Sequence, residues 1–137
     1  MTTPVPANAT LNPTGEQLGA FANGPDDGPI VMVNLLRYLD QASDGSGRTG
    51  REAYATYGAA VIPMVIERGG SFEFMASAHA TVIGPADEQW DEVILVQYPS
   101  RAAFLDMISS DAYQVAMVDR EVALADSRLI PTTRTDR

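Results

Sequence analysis

The chain of 137 residues contains no cysteine and no lysine, and only one histidine and one tryptophan. Without cysteine there is no disulfide framework, no thiolate nucleophile and no thiolate-held zinc or iron–sulfur centre. A lone histidine removes the imidazole-based zinc sites as well, so no metal is expected. All nine basic residues are arginines, scattered along the chain against 18 acidic residues, for a net charge of −9. Nucleic-acid backbones and anionic membrane surfaces require clustered cations, so neither is an expected partner. No apolar run approaches the roughly 20 residues of a membrane span. The opening MTTPVPANATLNP lacks the basic and apolar regions of a secretory signal. A cytoplasmic location is therefore expected, with the Asn8-Ala9-Thr10 sequon unused.

What is present is ordinary globular composition, 45% hydrophobic and 20% charged, in a length that suits one domain. Residues 1–11 read as a flexible arm and 12–137 as a single domain. Asn12-Pro13 reads as the cap and first position of a short helix carrying Leu18 and Phe21 and ending at Gly24. The apolar run 29–37 reads as a central strand covered on both faces. Residues 40–50 form a loop expected to be mobile. A helix follows from Arg51, with Pro63 inside it and Gly69-Gly70 as its stop. From Ser71 to Ile83 the period becomes two, which places Phe72, Phe74, Ala76, Ala78 and Ala80 on one face and Glu73, Met75, Ser77 and His79 on the other. Trp90 to Tyr98 returns as a strand. Pro99 and Ser100 turn the corner into a helix bearing Phe104, Leu105 and Ile108, and Asp111 caps another. Leu129-Ile130-Pro131 reads as a short last strand. The order is an extra N-terminal helix followed by βαββαβ, an α+β ferredoxin-like pattern with an antiparallel sheet. Helices on one side leave the other sheet face bare, and pairing two such sheets into a dimeric α+β barrel would cover it.

The stretches PIVMVNLL (29–36), GG (69–70), WDEVILVQYPSRAAF (90–104) and AYQVAMVDREVALADSRLI (112–130) resemble domain-of-unknown-function family 1330, a branch of the dimeric α+β barrel superfamily. The resemblance runs over nearly the whole chain from Leu11. It implies a homodimer with a barrel interior and leaves the reaction open, since relatives in the superfamily include cofactor-free monooxygenases, haem-degrading enzymes and polyketide cyclases.

The candidate site residues are few. Gly45, Gly47 and Gly50 spell G-x-G-x-x-G, but Tyr38 to Asp44 separate the motif from the strand that should abut it, so a dinucleotide is not expected. The loop at 40–45 lacks the ligand spacing of a calcium site. His79 is the candidate proton acceptor, with haem ligation as an alternative role and a partly exposed strand position as the structural one. Asn34, a polar residue in an apolar strand, either orients an oxyanion or ties down backbone. Tyr54, Tyr57, Trp90, Tyr98 and Tyr113 are candidate pocket walls, each equally able to fill core. Arg120 lies seven residues after Tyr113 on the same helix face. It would grip a substrate carboxylate or else pair with Asp91 or Asp106. The expected function is a small-molecule-binding dimer, namely a cofactor-independent cyclase, isomerase or monooxygenase acting on a small organic or polyketide-like substrate. The alternatives are a non-catalytic ligand-binding or stress-associated dimer and a haem protein using His79.

Overall fold

The computed structural model of the chain describes residues 5–26 and 28–135. In order, the elements are α1 (Gly15–Ala22), β1 (Ile30–Tyr38), α2 (Gly50–Glu67), β2 (Ser71–Ser77), β3 (Glu92–Tyr98), α3 (Arg101–Ile108), α4 (Asp111–Ala123) and β4 (Leu124–Thr132). The strands form one antiparallel sheet in the order β2-β3-β1-β4. This is the expected ferredoxin-like arrangement. β2 and β3 make the hairpin, and two helical crossovers bring β1 and β4 to its side.

The helices start where side-chain oxygens can satisfy unpaired backbone N–H groups. Thr14 and Gln17 form a capping box at α1, and Thr49 and Glu52 form another at α2. Ser100 caps α3 as expected, accepting from the Ala103 N–H. Two caps fall elsewhere than expected. α1 begins after Thr14 rather than at Asn12, whose amide instead donates to Glu121 at 3.1 Å. α4 is capped by Ser110, with Asp111 in the first turn, where its charge faces the positive helix end. α2 continues through Pro63 to Glu67.

Two strand assignments also change. β2 ends at Ser77, not Ile83, because Thr81 is drawn into a loop: its N–H donates to Gln89 and its hydroxyl to the Glu88 carbonyl. Within β2 the pairing slips at Glu73, so that Phe72 faces Val96 while Phe74 faces Leu95. A bulge inserts one residue and reverses all later side-chain directions. Met75 therefore shares the face of Phe72, Ile94 and Asn34, while Phe74 and Ala76 join Leu95, Val93, Val33 and Leu35 on the other. β4 starts at Leu124, five residues before the stretch that reads as strand. Asp126 and Ser127 hide it, since both are polar yet buried.

Those two residues are buried because they hold the N-terminal segment. The Thr10 N–H donates to the Asp126 carboxylate at 2.9 Å, the Ser127 N–H donates to the Thr10 carbonyl at 2.8 Å, and the Thr10 hydroxyl donates to the Ser127 carbonyl at 2.6 Å. Residues 1–4 of the expected arm lie outside the described residues, but from Thr10 onward the segment is a strap tied across β4. The loop 40–50, expected to be mobile, is likewise held. Arg48 bridges Asp44 at 2.9 Å and Asp119 at 3.0 Å, and the Ser43 N–H donates to the Val122 carbonyl.

Candidate functional site

The alternation of β1 and β3 sends Met32, Asn34, Leu36 and Tyr38, together with Glu92, Ile94, Val96 and Tyr98, toward the helices. Between this face and α2, α3 and α4 lies a cavity of about 1630 Å³. Its lining runs from buried Val65 and Met107 to exposed Met75 and Leu129, so it opens to solvent. All five tyrosines of the chain line it: Tyr38, Tyr54, Tyr57, Tyr98 and Tyr113. Four of them form a ladder, with ring centroids 5.5 Å apart for Tyr38–Tyr54, 5.1 Å for Tyr54–Tyr57 and 6.1 Å for Tyr57–Tyr113. The Tyr57 and Tyr113 hydroxyls share a hydrogen bond of 2.9 Å. Such rings combine an apolar body with a polar tip, which suits a ligand of mixed character.

Burial favours the protonated form of Tyr38, Tyr54, Tyr57 and Tyr98, because the anion loses more from desolvation than the neutral form. It is the main cause that raises Tyr54 to about 12, against the opposing pull of Arg120. Burial likewise raises Tyr57, reinforced by Tyr113, and Tyr98. Tyr38 is raised by burial first and then by Glu92, whose carboxylate accepts its hydroxyl hydrogen bond. At neutral pH the cavity thus presents O–H groups, not phenolates.

Asn34 and Arg120 supply the other polar groups expected here. The Asn34 amide nitrogen donates to the Met32 carbonyl at 3.3 Å and the Ile94 carbonyl at 3.2 Å. Both of its protons are spent, so the group left facing the cavity is an oxygen. Asn34 therefore offers an acceptor, and the expected oxyanion role falls away. The Arg120 guanidinium donates to the Leu11 carbonyl and, at 3.1 Å, to the Ser127 hydroxyl. It has no carboxylate partner among the described residues. Asp91 and Asp106, its expected partners, pair with Arg51 and Arg68 instead.

His79 and Trp90 are not brought to this cavity. His79 is exposed in the loop after β2, so a base or haem ligand in the cavity cannot come from it. Trp90 packs under Arg128, whose guanidinium carbon lies 5.0 Å from the ring centroid, toward the other face of the sheet. Among the lining residues that the sequence reading passed over as site candidates are Tyr38 and Glu92. The period of two carried a signal for both: Tyr38 shares parity with Asn34, and Glu92 shares it with Tyr98.

The G-x-G-x-x-G stretch has a packing explanation. Gly45 and Gly47 take positive φ angles of 72° and 84° in the loop. A Cβ on Gly50 would lie 2.1 Å from the Leu39 carbonyl oxygen and 2.6 Å from that of Ala123. The donors a phosphate would use are committed: Gly50 N–H to Leu39, Thr49 N–H to the Glu52 carboxylate and Glu52 N–H to the Thr49 hydroxyl. Among the described residues, no three His, Cys, Asp or Glu side chains converge as metal ligands. No helix among them is long and apolar enough to cross a membrane.

A family model described as domain of unknown function (DUF1330) matches residues 48–132. Among solved structures, a protein of unknown function from Rhodopseudomonas palustris is 37% identical, with a TM-score of 0.89 over 95% of this chain and 100% of that one. A Dabb-family protein with a ferredoxin-like fold from Mesorhizobium loti is 13% identical, with a TM-score of 0.52 over 80% of this chain and 100% of that one. A dimeric ferredoxin-like protein of unknown function from Bacteroides fragilis is 7% identical, with a TM-score of 0.50 over 79% of this chain and 98% of that one. The last two likenesses establish the fold alone. No curated protein matches the chain.

Proposed function

The chain belongs to the DUF1330 family, and we propose that it is a small-molecule-binding homodimer acting as a cofactor-independent enzyme on a small organic acid with an apolar body. One observation carries this reading: five tyrosines, the Asn34 carbonyl oxygen and an Arg120 without a carboxylate partner among the described residues share one cavity whose other walls are mostly apolar, with Glu92 and Arg51 among the exceptions. A guanidinium with spare N–H groups in apolar surroundings selects an anion, and the tyrosine ladder accepts a flat or branched carbon body. Catalysis would rest on enclosing and orienting that molecule while polar groups at its edge move protons.

The homodimer is supported by the sheet face turned away from the helices. There Val33, Leu35, Val93 and Leu95 are only half-buried, and Phe74 and Ile130 are 52% and 48% exposed. A contiguous apolar face of this kind is seldom left to water. A dimeric neighbour with the same fold is consistent with two copies meeting through it.

Native mass spectrometry of the protein taken directly from cell extract tests both parts. A two-subunit mass with a retained organic acid is expected, and Arg120→Gln should lose that ligand while staying folded. A ligand-free monomer would overturn the reading. A dimer that holds a ligand and returns it unchanged after prolonged incubation would place the protein among binders rather than enzymes.

A further inference from the structure

We propose that the cavity catalyses proton abstraction from a carbon beside a carbonyl group, with the Glu92 carboxylate as base, the Tyr38 hydroxyl as its positioning group and the Tyr54 hydroxyl as donor to the enolate oxygen. This rests on the reading of the cavity as an organic-acid site and names the chemistry it performs.

Three observations converge. The first is that Glu92 lines the cavity and accepts a hydrogen bond from Tyr38 through Oε1 alone, leaving Oε2 without a bonded donor among the described residues. Arg51 does not neutralise it: that guanidinium lies over the Tyr38 ring, 4.8 Å from its centroid, and pairs with Asp91. A cavity carboxylate with one oxygen fixed and the other open, and with no cation paired to it, is arranged as a proton acceptor.

The second is that the Tyr54 hydroxyl also lines the cavity and makes no hydrogen bond among the described residues, although its ring packs against Tyr38. Every other tyrosine hydroxyl in the ladder has a partner, in Glu92 for Tyr38 and in each other for Tyr57 and Tyr113. Tyr54 is thus the free donor beside the base, where charge would develop on a carbonyl oxygen. The third is Arg120, which faces the same space with N–H groups not used on Leu11 and Ser127, and would anchor a carboxylate.

The step balances without a further reactant. Glu92 Oε2 takes the proton, the C–H electron pair becomes the C=C bond of the enolate, and the carbonyl π pair moves onto oxygen. Tyr54 donates a hydrogen bond to that oxygen and keeps its own proton. Return of the proton from Glu92 to carbon restores both partners. A carboxylate is a weak base, so the matching substrate is a carbon acid activated from two sides, such as a 3-oxo acid, whose C2 lies between ketone and carboxylate, or an aryl 2-oxo acid, whose C3 lies between ketone and ring.

The test is deuterium incorporation at that carbon in D2O, followed by NMR with phenylpyruvate and 3-oxo-3-phenylpropanoate as probes, with binding read in the same samples by saturation transfer. The full-length protein should accelerate exchange above buffer. Glu92→Gln should lower the accelerated rate by roughly 100-fold or more with the probe still bound, and Tyr54→Phe should lower it by roughly 100-fold. Tyr38→Phe keeps the base but should move the acidic limb of the pH–rate profile to higher pH, which a purely structural tyrosine would not do. Binding without exchange above buffer overturns the inference and leaves the organic-acid reading standing. Absence of binding by either probe overturns the inference, with that reading still judged by the ligand retained from extract. Exchange that survives Glu92→Gln also overturns it. Should Glu92→Gln fail to fold, Tyr54→Phe decides, and an unchanged rate in that variant is equally fatal.

Discussion

The two faces of the sheet differ in where they mix polar and apolar groups. The face covered by helices carries Asn34, Tyr38, Glu92 and Tyr98 among its apolar residues. The face left uncovered carries Val33, Leu35, Val93, Leu95, Phe74 and Ile130 across its middle, with Arg128 beside them and Arg37, Gln97 and Thr132 toward its ends. A sheet that only needed a dry core would put its polar groups outside. Here polar groups also line the space under the helices, where the cavity lies, and an apolar band crosses the bare face, where a second copy is proposed to pack. The two proposed jobs, ligand chemistry and assembly, would thus be separated by the pleat.

The largest effect that would break this comparison is at Leu36, which is 1% exposed on the helix side. Leu36→Ala should cost about 2–5 kcal/mol in urea unfolding, from the lost burial plus the cavity left behind. Its chain neighbour Leu35 points to the bare face, so Leu35→Ala in a monomeric background should cost clearly less. Equal costs would mean that both faces are core.

A second experiment makes that background. Paired Phe74→Asp and Ile130→Asp changes place charges on both edge strands of the proposed contact face, where unpaired buried charge is strongly disfavoured. Light scattering should show a shift from dimer to monomer at micromolar concentration, with the circular dichroism of the folded chain retained. An unchanged mass would remove the assembly role from this face.

Alkaline titration sharpens the picture of the covered face. Tyr54 is raised above its ordinary 10.0 to about 12, and Tyr38, Tyr57 and Tyr98 are raised with it. A group whose folded pKa lies above its unfolded value contributes stability that is complete below the unfolded pKa and is lost as pH rises through the folded one. Stability should therefore fall between pH 10 and about 12. Absorbance at the tyrosinate band should rise together with unfolding. Early, independent ionisation of Tyr38, Tyr54, Tyr57 and Tyr98 would show that the ladder is wet and open.

The smallest effect is at the ladder's hydrogen bond. Tyr57→Phe removes the 2.9 Å link to Tyr113 and should cost about 1 kcal/mol. Tyr113→Phe should cost a similar amount, and the double change should be less than additive, because the two hydroxyls serve one bond.

Much of the fold was legible because its signals are local. The period of two in β3, the Pro99-Ser100 corner, the apolar run of β1 and the Gly69-Gly70 stop each reflect chemistry within a few residues. The capping boxes at Thr14 and Thr49 carried the same kind of signal and pass unnoticed beside the showier Asn12-Pro13 pair and glycine motif. Of the residues singled out from the sequence, Asn34, Arg120, Tyr54, Tyr57, Tyr98 and Tyr113 line one cavity, which is the proposed site. The reading failed at His79, whose direction depended on uninterrupted alternation through 71–83. The bulge at Glu73 and the tether of Thr81 to Glu88 and Gln89 break that alternation, and neither has a signature in the residues themselves.

By itself, then, the sequence determined the element types, the crossover order that makes the sheet ferredoxin-like, the exclusion of cysteine chemistry and the supply of aromatic hydroxyls. Tertiary structure alone decided three further matters: that Asp126 and Ser127 are buried to hold a strap, that Gly50 serves close packing rather than a phosphate, and that Glu92, Tyr38 and Tyr54 meet. The physical reason is range. Periodicity, caps and turns are set by neighbours along the chain, whereas burial of a polar group and the facing of two side chains depend on segments that are distant in sequence, such as Thr10 with Ser127 and Tyr38 with Glu92.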